Sequence, residues 1–185
     1  GYHAGDPLVM AKTVARCREA GVHIGAHPGF PDLMGFGRRN MNVSPAEAKA
    51  YIQYQLGALE AFCRAAGVQM RHVKPHGALY NLAAKDEKLA RAIVEGICEV
   101  DDHLTLLALS GSEMLLAAEK AGLRAASEVF ADRGYQADGT LVPRSKPGAM
   151  ITDESEAIAR VVRMVTEGVV TAVDGTDVSL RADSI

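Results

Sequence analysis

Helix signals and short apolar runs take turns along the whole of this sequence. Asp6 followed by Pro7 is a helix start: a side-chain cap, then a residue whose missing N–H is harmless in the first turn. That helix is expected to run to about Ala20 and stop at Gly21. Residues 22–25 read as a strand, and a Gly/Pro-rich loop fills 26–43. Ser44-Pro45-Ala46-Glu47 is a capping box. It opens the longest helix, through Ala66, with Ile52, Leu56, Leu59 and Cys63 in helical register. The cycle then repeats, with strands at 70–73, 104–109 and 125–130, helices at 86–100 and 111–121, and loops at 74–85 and 131–152. Asp153 caps a last helix to about Gly168, and a final strand is expected near 178–180. Such alternation predicts an α/β fold with a parallel sheet and right-handed crossovers. The strands are too few for a closed barrel, so the sheet is expected to be open or truncated.

Composition narrows the function classes. The 185 residues are 48% hydrophobic and 23% charged, the balance of one ordinary globular domain. A net charge of −3 gives no general attraction for nucleic acid or an anionic membrane. No apolar run approaches the roughly 18 residues that cross a bilayer, and no secretory signal is visible, so a cytoplasmic location is expected. Cys17, Cys63 and Cys98 are odd in number, far apart and helical, which reads as buried free thiols rather than disulfides or a zinc pair. The chain opens on a helix without an initiator Met and closes just after a strand. It is therefore expected to be a fragment of something longer.

Ligand sites of parallel α/β folds lie outside the carboxyl ends of the strands. Sorting polar residues by that rule gathers them. His27 and Asp32 follow the first strand, with Arg38 and Arg39 later in the loop. Lys74, His76, Tyr80 and Asn81 follow the second; Asp132, Arg133, Tyr135 and, farther on, Arg144 follow the fourth. His3 and Asp6 stand just before the first helix. The segments Val22-His23-Ile24-Gly25-Ala26-His27-Pro28-Gly29 and Arg71-His72-Val73-Lys74-Pro75-His76-Gly77-Ala78 echo each other. In each, a His lies in the strand and a second follows four residues later.

Bland readings compete with these. His23 and His72 read as core histidines, and His103, beside Asp101 and Asp102, as a surface residue on the opposite rim. Asp6 is equally well a simple cap, and Arg38-Arg39 a solvated pair. Loop placement among Gly and Pro turns the balance toward function for His27 and His76. His3, His27, His76 and Asp132 offer donors suited to zinc, manganese or iron, although spacing alone does not separate that from metal-free acid–base chemistry. Gly35-Phe36-Gly37-Arg38-Arg39-Asn40 lacks the third glycine of a dinucleotide fingerprint, and the chain carries no GxxxxGK[ST] or HExxH motif. Nor is Ser110-Gly111-Ser112 a nucleophile elbow.

Five ordered stretches carry a resemblance that spans the chain. They are His3-Ala4-Gly5-Asp6-Pro7, residues 25–32 (GAHPGFPD), Gly35-Phe36-Gly37-Arg38-Arg39, residues 73–81 (VKPHGALYN) and residues 128–135 (EVFADRGY). Together they resemble the LamB/YcsF family, also known as the A subunit of the bacterial ATP-dependent 5-oxoprolinase. The resemblance implies one domain over 1–185, an incomplete or irregular TIM-type (β/α) barrel of the glycoside hydrolase/deacetylase type. It implies a hydrolase that cleaves the cyclic amide of 5-oxo-L-proline to L-glutamate with ATP hydrolysis, alongside subunits B and C. ATP is then a co-substrate of the complex; the missing P-loop favours the partners as its site, although nucleotide sites without that motif exist and the ATP-binding subunit stays open. The expected catalytic residues are His27, His76, Asp132 and Arg133. Substrate binding falls to His3, Asp6, Asp32, Arg38, Lys74, Tyr80 and Tyr135, with a divalent metal on His3, His27 and His76 left open. Family members begin with an Asn-Cys-Asp-Leu-Gly-Glu strand and end with a His-Gly-Asp motif, and both are absent here. Two alternatives stand beside this reading: a metal-dependent deacetylase-like hydrolase, and a non-catalytic ligand-binding component.

Overall fold

Local signals set most of the elements. In the computed structural model, which describes all of Gly1–Ile185, the Asp6 carboxylate accepts from the Val9 N–H at 3.0 Å and helix α1 spans Pro7–Ala20. Gly21, at φ 66°, ends α1 in the left-handed conformation that glycine adopts without steric cost. Strand β1 (Ile24–Ala26) leads through a long loop to α2 (Pro45–Ala65), whose Ser44/Glu47 capping box is fully formed. Then follow β2 (Met70–Val73), α3 (Gly77–Ala83), α4 (Glu87–Val100), β3 (Thr105–Leu109), α5 (Glu113–Ala121) and β4 (Ala125–Glu128). A long loop leads to α6 (Glu154–Thr166), β5 (Val169–Thr171) and β6 (Asp177–Ser179).

The strands β1-β2-β3-β4 form one parallel sheet in chain order. Successive crossovers therefore step the same way, the order found in (β/α) barrels, but the four strands do not close on themselves. The outer edge of β4 is occupied by the chain's last residues: Val129 N–H donates to Ser184 O at 2.9 Å and Asp183 N–H to Ser127 O at 2.8 Å. A contiguous core of 34 buried residues joins the sheet to its helices. On α4, Leu89, Ala90, Ile93, Val94 and Ile97 are all buried. Gly96 lets α2 and α4 cross closely, since a Cβ there would lie 3.1 Å from Lys49 O.

The structure departs from expectation in three places. Residues 77–83, expected as loop, form α3, because Leu79, Tyr80 and Ala83 recur on one buried face. The last strand does not join the parallel sheet. It pairs antiparallel with β5 in a hairpin whose connection contains Asp174-Gly175, a turn-forming pair. His23 is exposed rather than in the core, while the His72 ring fills the space above Gly25. All three cysteines are free, but only Cys63 is buried as expected; Cys17 and Cys98 are half-buried. No helix is long and apolar enough to cross a membrane.

Candidate active site

Three histidines from three segments meet at the carboxyl ends of β1 and β2. His27 leaves β1, His76 leaves β2 as the N-cap of α3, and His3 precedes α1. One nitrogen from each lies within 4.8 Å of the others. His27 Nδ1 lies 2.6 Å from Lys74 O, and His76 Nε2 lies 2.8 Å from Phe36 O. A carbonyl can only accept, so each of these nitrogens carries its proton. The neutral rings then present bare nitrogens to each other, His27 Nε2 and His76 Nδ1, 2.9 Å apart. Two lone pairs brought this close call for a cation between them, a shared proton or a metal ion. His3 stacks on His76 at 3.7 Å and 3°, and its buried Nδ1 has no partner.

Electrostatics favour neutral rings. Burial, then the neighbouring His76 and His27, holds His3 down at about 4. Burial likewise lowers His27 and His76, against the carbonyl hydrogen bonds that each makes. At neutral pH these are bases rather than fixed cations.

The turn over 32–39 aims Phe36 O at His76. The buried Asp32 carboxylate accepts from Gly35 N–H at 2.9 Å and from the Arg39 guanidinium, whose hydrogen bonds hold it at about 2. Phe36 takes φ 53°, an uncommon conformation for a residue with a Cβ. Its ring meets the edges of His3 and His76 at 5.3 Å. Gly37 permits the approach, because a Cβ there would lie 2.9 Å from His76 Cδ2. Arg38 stacks over Phe36 at 5.2 Å and lies close enough to lower His3 and His76. Its guanidinium makes neither a hydrogen bond nor an ion pair.

A second polar unit bridges the rim across β3. Glu128, at the end of β4, accepts from Lys74 Nζ at 2.5 Å and from Tyr80 OH at 3.0 Å. Burial and Glu128 raise Tyr80 far above the usual phenol range, so it stays a donor. Of the remaining expected residues, Tyr135 neighbours Tyr80 and Glu128, while Asp6 and Asp132 stand outside the imidazole group. Asp6 caps α1 and is exposed. Asp132 is exposed and outside the imidazole group. The buried Arg133 guanidinium donates to Ala149 O and Val142 O. Tyr135 OH accepts from Phe130 N–H at 2.8 Å, and burial pushes its phenol up to about 12.

Two residues at this site escaped the sequence reading. Buried Gln55 on α2 accepts from Tyr2 N–H and Gly29 N–H, both at 3.1 Å, and donates to Gly29 O at 2.9 Å. It ties the segment carrying His3 to the loop carrying His27. Its signal was a polar residue beside Leu56 and three positions after Ile52, on the core face of α2. The other is Glu128, which the rule of carboxyl ends picks out once β4 is seen to stop there.

The family model for LamB/YcsF matches residues 1–185. The chain belongs to the LamB/YcsF family. Among LamB/YcsF relatives, the 5-oxoprolinase A subunit of Clostridium beijerinckii is 64% identical over the whole chain, which covers 72% of that protein. The 5-oxoprolinase A subunit of Pyrococcus abyssi is 57% identical over the whole chain, again covering 72% of its length. The lactam utilization protein from Thermus thermophilus has the same fold, with a TM-score of 0.89 and 50% identity. That match covers 99% of this chain and 74% of the other.

Proposed function

We propose that this chain is the lactam-opening subunit of an ATP-dependent 5-oxoprolinase, acting with subunits B and C on 5-oxo-L-proline to give L-glutamate. The observation that carries the reading is the pair of facing nitrogens, His27 Nε2 and His76 Nδ1, 2.9 Å apart on the carboxyl rim, in a chain whose relatives are named for this enzyme. A lactam is a poor electrophile. Phosphorylation of its oxygen by ATP makes the ring carbon open to water, and without a P-loop of its own the chain leaves ATP to its partners. The neutral pair takes the proton of the attacking water, with Nε2 of His27 and Nδ1 of His76 as the available bases. Arg38, free of any partner, anchors a carboxylate or phosphate by paired hydrogen bonds. Asp32 acts through the turn that it holds. We place the parallel sheet within an incomplete (β/α) barrel of the glycoside hydrolase/deacetylase type.

A divalent metal fits the same residues. The unpartnered Nδ1 of His3 and the facing nitrogens of His27 and His76 are the donor set, and Lys74 O and Phe36 O fix the outer nitrogens as carbonyls do for ligating histidines. Such an ion would polarise the carbonyl or lower the pKa of a bound water. These donors support the second reading, amide hydrolysis without ATP.

A glutamate-release assay with 5-oxoproline, run with and without ATP and subunits B and C, separates the two. Dependence on all components, reduced at least 100-fold in His76→Ala, is the result expected. Release by this protein alone, indifferent to ATP and abolished by a chelator, would mean that the metal-hydrolase reading is right.

A further inference from the structure

We propose that Glu128 is a positioning residue of the reaction, whose buried carboxylate holds the Lys74 ammonium at the rim as an anchor for substrate anion. The inference rests on the functional reading above. Its geometry stands by itself. Glu128 is 4% exposed, and both its carboxylate oxygens are filled by donors from other elements. Oε1 accepts from Lys74 Nζ just beyond β2, and Oε2 from Tyr80 OH in α3. β3 lies between β2 and β4, so the ion pair crosses over the end of an intervening strand.

A link of this kind is poorly suited to stability alone. Burying a carboxylate costs about as much as its pairing returns, and apolar residues of the same volume often serve as well or better. What it does provide is direction. One N–H of Lys74 is committed to Glu128, and the ammonium stands 5.1 Å over the Phe130 ring. The Lys74 side chain keeps 31% of its surface exposed, against 6% for Glu128, so the lysine is the member that faces solvent. Its ammonium offers its remaining protons there. Lys74 also reaches the imidazole group directly, because its carbonyl accepts from His27 Nδ1 at 2.6 Å. One residue thus orients the base through its backbone and presents a cation through its side chain. The Lys74 ammonium is also close enough to lower His27, so an anion held by Lys74 would share the rim with the His27–His76 pair. The substrate carboxylate and the charge that builds on the opening amide are both of this chemical class.

Chemical rescue tests this in the complete three-subunit complex. Lys74→Ala is expected to lower turnover at least 30-fold and to recover a large part of it with added ethylamine, whose ammonium Glu128 can seat. In the double variant Lys74→Ala, Glu128→Gln, ethylamine is expected to have no effect. Glu128→Gln alone is expected to lower kcat more than tenfold while KM changes less than threefold. Equal rescue with and without Glu128, no rescue in either, or a Glu128→Gln complex within twofold of wild type would overturn the proposal. If the wild-type complex releases no glutamate, the functional reading has failed, and the ion pair is judged by a readout independent of turnover. The Lys74 Nζ–H signal in the lysine-labelled protein, slowed in exchange by Glu128, should vanish in Glu128→Gln. Its persistence would overturn the positioning role as well.

Discussion

At the scale of single residues, burial and hydrogen bonding set the chemistry. His3 is held at about 4, mainly by burial and then by His76 and His27, below its ordinary value of 6.5. A histidine whose folded pKa is depressed binds its proton more readily in the unfolded chain. Its contribution to stability is therefore complete above about 6.5 and is lost as pH falls toward 4. The melting temperature is expected to fall from pH 7.0 to 5.0, and His3→Gln to flatten that dependence. Scanning calorimetry at several pH values checks this, and a His3→Gln slope equal to that of wild type would remove His3 as the cause. Asp32, held at about 2, has its main loss of stability at lower pH, outside most of this comparison. Its chemical type pointed to the rim and was legible in the sequence. That Arg39 and Gly35 would take up its carboxylate was not, because the choice between neighbouring arginines depends on the path of the 32–39 turn.

Elements show how local structure delivers these groups. Gly77 opens α3 at φ 57°, and a Cβ there would lie 2.5 Å from Gly37 O, which already accepts from Ala78 N–H. Gly77→Ala must therefore meet left-handed strain, of order 1–2 kcal/mol, and push the Gly37 backbone away from His76. Denaturant unfolding should show a loss of at least about 2 kcal/mol, with glutamate release falling at least tenfold. Ser44→Ala is the control at the far end of an element. Loss of the α2 cap should cost about 1 kcal/mol and leave turnover within twofold of wild type. A Gly77→Ala protein with normal turnover would show that the Gly37 backbone does not set the His76 position. The capped, periodic helices α1, α2 and α4 were readable because their signals lie within their own residues. α3 was not, since seven residues carry too little periodicity to outweigh the Pro75-His76-Gly77 loop signal. The β5–β6 hairpin was half seen, and its pairing depends on a partner strand that short apolar runs do not announce.

For the molecule as a whole, the site exists only through contacts between distant parts of the chain. Alternation and the carboxyl-end rule located the rim from sequence, and His3, His27 and His76 do meet there. What sequence did not disclose is the scaffold that brings them together, because it is made of backbone groups and one buried amide. Gln55 supplies the longest of these links, from α2 to Tyr2 and to Gly29. Removing its side chain leaves Tyr2 N–H, Gly29 N–H and Gly29 O without their partner, two of these bonds being buried beneath the imidazole group. Buried orphans of this kind cost about 1–3 kcal/mol each when water does not reach them. Gln55→Ala is therefore expected to lose about 2–4 kcal/mol in denaturant unfolding. The loss should also be felt at a distance. Amide exchange at Tyr2 and Gly29 should quicken, and glutamate release should fall at least tenfold although Gln55 touches none of the three rings by a hydrogen bond. Wild-type stability with unchanged exchange at Gly29 would mean that the loop holds His27 without α2. A stability loss with normal turnover would separate the scaffold from the chemistry and leave the 32–39 turn as the device that sets the histidines.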